Sequence, residues 1–143
     1  MAISASGVPD LLVDTSVAVA LTVADHEHHD ETFEALEGNC LGLAGHAAFE
    51  TYSVLTRLPA PARRTPATVA RLLAATFPQT RFLGPDAGRS LLERVAAMGI
   101  AGGSVYDALV AAAAVEHRMR LATRDRRALE TYRALGVEVE LLS

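Results

Sequence analysis

Four acidic residues, Asp14, Glu50, Asp107 and Asp125, lie at positions where a carboxylate could do chemistry. Asp14 follows the apolar run LLV, and Asp125 follows the strand-like run RLAT. Glu50 and Asp107 lie in predicted helices with apolar faces, Glu50 at the rim of such a face and Asp107 among small residues. Because an isolated buried carboxylate is costly, an acid in such a place needs hydrogen-bond donors, a basic partner or a metal ion.

The chemistry of a shared carboxylate site follows from charge. Three or four carboxylates at one edge of a sheet repel one another unless divalent cations neutralise them. Oxygen ligation with few imidazoles suits Mg²⁺ or Mn²⁺. Such a site supports in-line phosphoryl displacement, in which metal ions polarise the phosphate, activate water and stabilise the leaving oxygen.

Two of the acids also have a structural explanation at the start of a helix. Asp14 could cap the helix that follows it, although Thr15 or Ser16 is also available for that role. Ser104 and Asp107 approximate a capping box, with Asp in place of the usual Glu. In this interpretation neither carboxylate is a ligand.

The other two acids have surface explanations. Glu50 could be an ordinary solvated helix residue, and Asp125, among three arginines in TRDRR, could form surface ion pairs. If all four acids are structural, the protein is a non-catalytic, protein-binding α/β module. Metal-dependent cleavage of a phosphodiester that one acid-to-Asn change abolishes would distinguish a catalytic carboxylate site from this module.

Composition excludes several other classes of function. The 13 basic residues are all Arg, which removes mechanisms that need a lysine amine, and position 16 is Ser where an Asp-x-Asp phosphatase needs its second acid. No G-x-G-x-x-G follows the first strand, so dinucleotide binding is not expected. The net charge of -4 argues against a general nucleic-acid coating protein but permits local basic patches. The single Cys40 forms no internal disulfide.

Strand and helix patterns alternate along the chain, which predicts one α/β domain over residues 1–143. The predicted strands are 10–14, 40–44, 81–84, 120–125 and 137–142. The predicted helices are 17–24, 28–37, 45–58, 66–76, 86–98, 104–118 and 126–135. We expect a mostly parallel sheet of about five strands between two layers of helices. The N-terminus has no basic or cleavable signal pattern and the apolar runs are too short to span a bilayer, so a soluble cytoplasmic protein is expected.

The predicted sheet gives a functional reason for an acidic residue directly after a strand. In open parallel sheets, ligands bind beyond the carboxyl ends of the strands, where loops and helix N-termini meet. Asp14 closes the first predicted strand and Asp125 the fourth. If these strands are neighbours, the two carboxylates lie side by side.

The motifs resemble those of PIN-domain ribonucleases, specifically VapC-type toxins of type II toxin-antitoxin modules. The matching stretches are LLVDTSVAVAL, FETYSVLTRLP, VYDALVAAAA and LATRDRRALETYRALGVEVELL, and they occur in the family's order from about residue 10 to 142. By this resemblance, the family's acidic quartet is Asp14, Glu50, Asp107 and Asp125. Its supporting hydroxyls, which would orient carboxylates or metal-bound water, are Thr15, Ser16 and Thr123.

The resemblance also implies a function and partners. It implies Mg²⁺ or Mn²⁺ dependence, endonucleolytic RNA cleavage, a homodimer and a cognate VapB-type antitoxin. It does not imply which RNA is cut.

Overall fold

The structure is a computed structural model that describes Val8 and residues 10–143; the expectation about the N-terminal sequence pattern therefore lies largely outside the described residues. Within that part of the chain, four parallel strands form a sheet in the order β2-β1-β3-β4. The strands are β1 (Asp10–Val13), β2 (Cys40–Leu43), β3 (Leu121–Thr123) and β4 (Val139–Leu141). Asp14, which follows β1, and Asp125, which follows β3, therefore lie at the ends of neighbouring strands.

Helices connect the strands and agree with the predicted positions to within a few residues. They are α1 (Thr15–Thr22), α2 (His29–Leu36), α3 (Ala47–Thr56), α4 (Pro66–Thr76), α5 (Pro85–Ala97), α6 (Ser104–Glu116) and α7 (Leu129–Ala134). A 3-10 turn, Arg126–Ala128, leads into α7. No helix in residues 10–143 combines the length and the apolar character that a membrane span requires.

The sheet is buried on both faces, which confirms the predicted three-layer α/β architecture. Successive side chains of a strand point to opposite faces. Leu11 and Val13 accordingly pack with α1, α2 and α4, whereas Leu12 packs with α5, α6 and α7. Leu121 and Ala122 of β3 divide between the two faces in the same way.

The predicted strand 81–84 is wrong. Only Arg81 forms a bridge, parallel to Ala44, because the chain turns into α5 at Pro85. The preceding residues nevertheless lie against β2, where the Gln79 N–H donates to the Leu41 carbonyl at 2.9 Å. A side chain at Gly42 would place its Cβ 2.1 Å from the Gln79 carbonyl oxygen, so this close approach requires glycine.

The starts of two helices also differ from prediction. Asp14, rather than Thr15 or Ser16, is the N-cap of α1, and its carboxylate accepts a hydrogen bond from the Val17 N–H. Helix α6 includes Ser104 as its first residue, and no side chain forms a cap hydrogen bond there. The capping-box explanation of Asp107 is therefore not supported.

Candidate functional site

Asp14 is held in a fixed orientation at the carboxyl end of β1. It is only 4% exposed, and four donors contact its carboxylate. Oδ1 accepts hydrogen bonds from the Ser16 hydroxyl at 2.5 Å and the Val17 N–H at 3.2 Å. Oδ2 accepts from the hydroxyls of Thr123 at 2.5 Å and Tyr132 at 2.8 Å. The cap explanation is thus correct for Asp14 but accounts for only one of its four hydrogen bonds.

Pairing between β1 and β3 brings the second acid close. Val13 lies opposite Ala122 in the parallel register, and the Asp14 N–H donates to the Ala122 carbonyl at 3.2 Å. Thr123 ends β3, and its hydroxyl also accepts a hydrogen bond from the Asp125 N–H at 3.0 Å. One threonine hydroxyl therefore connects the carboxylate of Asp14 to the backbone of Asp125.

Asp125 also has the structural role that the neighbouring arginines in the sequence predicted. Its Oδ1 accepts a hydrogen bond from the Arg127 N–H at 3.0 Å and lies 3.4 Å from Arg127 Nε. The first contact caps the 3-10 turn and the second is a partly exposed ion pair. Asp125 makes both contacts and still lines the same pocket as Asp14.

The four predicted acids meet at one small pocket. Its volume is about 80 Å³, and the residues that line it are Asp14, Thr15, Ser16, Glu50, Asp107, Val110, Asp125 and Tyr132. Helix α3 supplies Glu50, which lies 4.0 Å from His46 one turn earlier, and α6 supplies Asp107. Two acids from helices and two acids that follow strands therefore line the same pocket.

The pocket disfavours the ionised forms of two of its acids, Asp107 and Asp14. The pKa of Asp107 is raised from 3.8 to about 6, mainly by burial and then by the negative charges of Asp125, Glu50 and Asp14. The positive charge of Arg127 partly lowers it again. Burial also raises the pKa of Asp14, against the lowering effect of its hydrogen bonds. Because their charged forms are disfavoured, these carboxylates would gain from a nearby cation.

The donor set fits a hard divalent cation in type, since carboxylate oxygens are the ligands that Mg²⁺ and Mn²⁺ prefer. Within residues 10–143, no three His, Cys, Asp or Glu side chains are already arranged as a metal-binding group. Like charges repel, so we expect these carboxylates to turn toward a cation only when one is present. Glu50 and Asp107 are partly exposed.

The predicted supporting hydroxyls divide into two groups. Ser16 and Thr123 both donate to Asp14, and the Arg124 N–H in turn donates to Ser16 Oγ at 2.9 Å. Thr15 lines the pocket, but in the described part of the chain its buried Oγ1 has no hydrogen-bond partner. The structure therefore brings two of the three hydroxyls to a carboxylate.

Tyr132 belongs to the site and was not predicted from the sequence. It lies on α7 in a buried row with Ala128 and Leu135, at the i, i+4 and i+7 spacing of one helix face. A buried tyrosine needs a partner for its hydroxyl. That requirement, applied to TYRAL, was the available signal, although the sequence does not identify Asp14 as the partner.

Comparison with known proteins identifies the family. A sequence profile of the PIN domain matches residues 11–134. The chain belongs to the PIN-domain family. It is 48% identical to Ribonuclease VapC27 of Mycobacterium tuberculosis over 131 residues, which cover 92% of this chain and 96% of that protein. It is 46% identical to Ribonuclease VapC40 of the same species over 132 residues, or 91% and 97% of the two chains. These relatives place it among the VapC-type PIN domains.

Solved structures share the PIN fold at lower identity. M. tuberculosis VapC20, described as a Sarcin-Ricin loop cleaving toxin, superposes with a TM-score of 0.64 at 20% identity, covering 89% of this chain and 95% of that one. VapBC2 from Rickettsia felis, bound to a DNA fragment from its promoter, gives 0.66 at 13% identity, covering 94% and 99%. At these identities the likeness concerns the fold.

Proposed function

We propose that this PIN domain is an endoribonuclease that hydrolyses RNA phosphodiester bonds with Mg²⁺ or Mn²⁺ held by Asp14, Glu50, Asp107 and Asp125. The observation that carries the proposal is the position of all four carboxylates around one pocket at the carboxyl ends of β1 and β3. The two M. tuberculosis relatives named as ribonucleases support the same chemistry.

The residues of the pocket would have different roles, according to how firmly each side chain is held. Asp14 is fixed by four hydrogen bonds, so it would hold a cation at a constant place beside the sheet. Glu50 and Asp107 extend from two helices and would complete the ligand set by rotating. A bound divalent cation supplies polarisation of the phosphate and a lower pKa for water. Ser16 and Thr123 would keep Asp14 aligned.

Arginines beside Asp125 are the groups we expect to contact RNA phosphates. Arg126 and Arg127 are exposed, and Arg127 approaches the pocket through its contact with Asp125. Arg124, by contrast, has a 10% exposed side chain that donates to the Thr32 hydroxyl at 3.2 Å, so its role is structural. A local basic patch of this kind attracts phosphate even though the net charge of the chain is -4.

We also propose a VapB-type antitoxin as the protein partner and the cytoplasm as the location. The Rickettsia felis structure that shares this fold is that of VapBC2. Such a partner would restrain a ribonuclease that could otherwise act on cellular RNA.

We further propose a homodimer. The aromatic patch, defined here as His46, Phe49, Phe82 and Tyr106, is the surface that supports it. The rings of Phe49 and Phe82 lie 5.9 Å apart, and those of His46 and Tyr106 stack at 5.0 Å. Phe49 is 64% exposed, and Phe82 and Tyr106 are each 52% exposed. Exposed apolar clusters of this kind usually mark interfaces.

The activity test uses purified protein and a structured RNA. We expect cleavage only with Mg²⁺ or Mn²⁺, with water as the attacking group and the 3′ oxygen as the leaving group, which gives 5′-phosphate and 3′-hydroxyl ends. Asp107→Asn should abolish cleavage, whereas Asp86→Asn, on the exposed start of α5, should leave it unchanged. Cleavage that persists in excess EDTA would contradict metal dependence. A folded protein that cleaves no RNA with either metal would favour the non-catalytic binding module.

A further inference from the structure

Tyr132 contacts Asp14 in a way that bears on cation binding. A carboxylate has about four lone-pair sites for hydrogen bonds or metal ions. In the structure Asp14 already accepts four hydrogen bonds, two on each oxygen. A cation that binds Asp14 must therefore displace one donor.

The four donors are not equally well held. The Val17 N–H is fixed in α1. The Ser16 and Thr123 hydroxyls each accept a further hydrogen bond, from the Arg124 and Asp125 N–H groups at 2.9 and 3.0 Å.

The Tyr132 hydroxyl, within the described chain, has its single hydrogen bond to Asp14 Oδ2. Tyr132 and Ser16 both line the carboxylate pocket, whereas Thr123 and Val17 do not. Of the two donors that line the pocket, Ser16 is also held by the Arg124 N–H, whereas the Tyr132 phenol has no second hydrogen bond within the described chain to hold it in place.

We propose that the Tyr132 hydroxyl occupies the cation-accessible lone pair of Asp14 in the metal-free protein and yields it when Mg²⁺ binds. Tyr132 is then a positioning residue that sets the affinity of the site for its cation, and this inference rests on the proposed metal dependence. Burial, with the nearby charge of Asp14, raises the pKa of Tyr132, so the phenol stays protonated and remains a donor at neutral pH.

Tyrosine emission provides a direct readout. The chain has three tyrosines and no tryptophan, so tyrosine fluorescence is not masked. A phenol hydrogen-bonded to a carboxylate emits weakly, because the excited phenol passes its proton to the acceptor. Mg²⁺, which does not itself quench fluorescence, should release Tyr132 from Asp14 and increase the emission.

The experiment compares the full-length wild type, Tyr132→Phe and Tyr52→Phe during MgCl₂ titration, with emission and calorimetry recorded together. Tyr52 lies exposed on α3 and is the matched control. We expect emission to rise in the wild type and in Tyr52→Phe, and to stay flat in Tyr132→Phe. The Tyr132→Phe variant should bind Mg²⁺ about threefold to tenfold more tightly, since one competing hydrogen bond is gone.

Two outcomes would overturn the inference alone: unchanged or weaker Mg²⁺ binding by folded Tyr132→Phe, or flat wild-type emission while calorimetry shows binding. The wild-type titration decides the question even if Tyr132→Phe fails to fold, which circular dichroism would reveal. Absence of Mg²⁺ and Mn²⁺ binding in every protein would instead overturn the metal dependence of the proposed function, and this inference with it.

Discussion

Asp107 on α6 and Asp125 after β3 come from separate elements and line the same pocket. After burial, the charge of Asp125 is the largest influence that raises the pKa of Asp107, to about 6. Because burial and the charge of Asp125 disfavour the ionised form of Asp107, ionising Asp107 costs the folded protein free energy at neutral pH. A bound cation would relieve the repulsion between these acids, and this relief would make the binding free energy of the cation more favourable.

The pH dependence of stability tests this relationship through Asp107→Asn. Because folding raises the pKa of Asp107 above 3.8, its contribution to stability is complete below about pH 4 and is lost as the pH rises through about 6. The metal-free variant should therefore melt at a higher temperature than wild type above pH 6. The difference should shrink as the pH falls toward 4. Thermal unfolding followed by circular dichroism measures it.

Asp86→Asn is the control for Asp107→Asn, because the Asp86 side chain is 98% exposed and its contact with Arg89 is a surface ion pair. Its effect on stability should stay within about 0.5 kcal/mol at every pH. If Asp107→Asn melts well below wild type at pH 7, the carboxylate of Asp107 is structural and the repulsion argument is wrong.

Magnesium should stabilise the protein through the same acids. A cation that binds only the folded state at one hundred times its dissociation constant adds about 2.7 kcal/mol to the free energy of unfolding. Asp125→Asn keeps an oxygen that can accept the hydrogen bond from the Arg127 N–H, but removes the charge. The metal-free variant should melt no lower than wild type, lose most of the magnesium-induced rise in melting temperature, and lose cleavage. Equal responses of variant and wild type to magnesium would count against Asp125 as a ligand.

Thr123→Val separates the orientation of Asp14 from its charge. The change removes a donor to Asp14 Oδ2 and the acceptor of the Asp125 N–H. We expect a loss of about 1–3 kcal/mol in the free energy of unfolding, because buried polar groups lose their partners, together with reduced cleavage. Urea unfolding measures the first effect. Thr123→Ser keeps the hydroxyl and should recover most of both; a serine variant as impaired as the valine variant would show that the methyl group, not the hydroxyl, matters.

The sequence predicted the part of the site that depends on the sheet. Apolar runs that end in Asp14 and Asp125 indicate parallel strands, and parallel strands bring their carboxyl ends to one edge. The pairing of β1 with β3 was the condition for that conclusion, and the structure meets it. Glu50 and Asp107 could be predicted as pocket residues because the family motifs carry their positions.

Features that depend on tertiary contacts could not be predicted in the same way. Local periodicity does not reveal that Tyr132 reaches Asp14, 118 residues earlier, or that Thr15 has no such contact. The segment before α5 has strand-like residues, yet the early turn at Pro85 limits it to one bridge at Arg81. Capping preference alone did not choose among Asp14, Thr15 and Ser16, and the structure places Asp14, at the end of the strand, in the cap.

Association is tested at the aromatic patch. Phe49 and Phe82 are adjacent, exposed rings, and we expect a second copy of the chain to cover them. Light scattering at micromolar concentration should give a dimer for the wild type. Phe49→Glu and Phe82→Glu should each give a monomer, because a buried interface would leave the new carboxylate without a partner.

Phe33→Glu is the matched control, since Phe33 is 56% exposed on α2 and lies outside the aromatic patch. It introduces the same charge at a similarly exposed ring, so it should leave the dimer intact. Circular dichroism must show all three variants folded, because the substituted rings are largely in solvent and contribute little to the core. A wild type that is monomeric at micromolar concentration would contradict the dimer itself. A dimer that survives both patch substitutions would place the interface on another surface, and the exposed rings of Phe49 and Phe82 would then need a different partner to explain them.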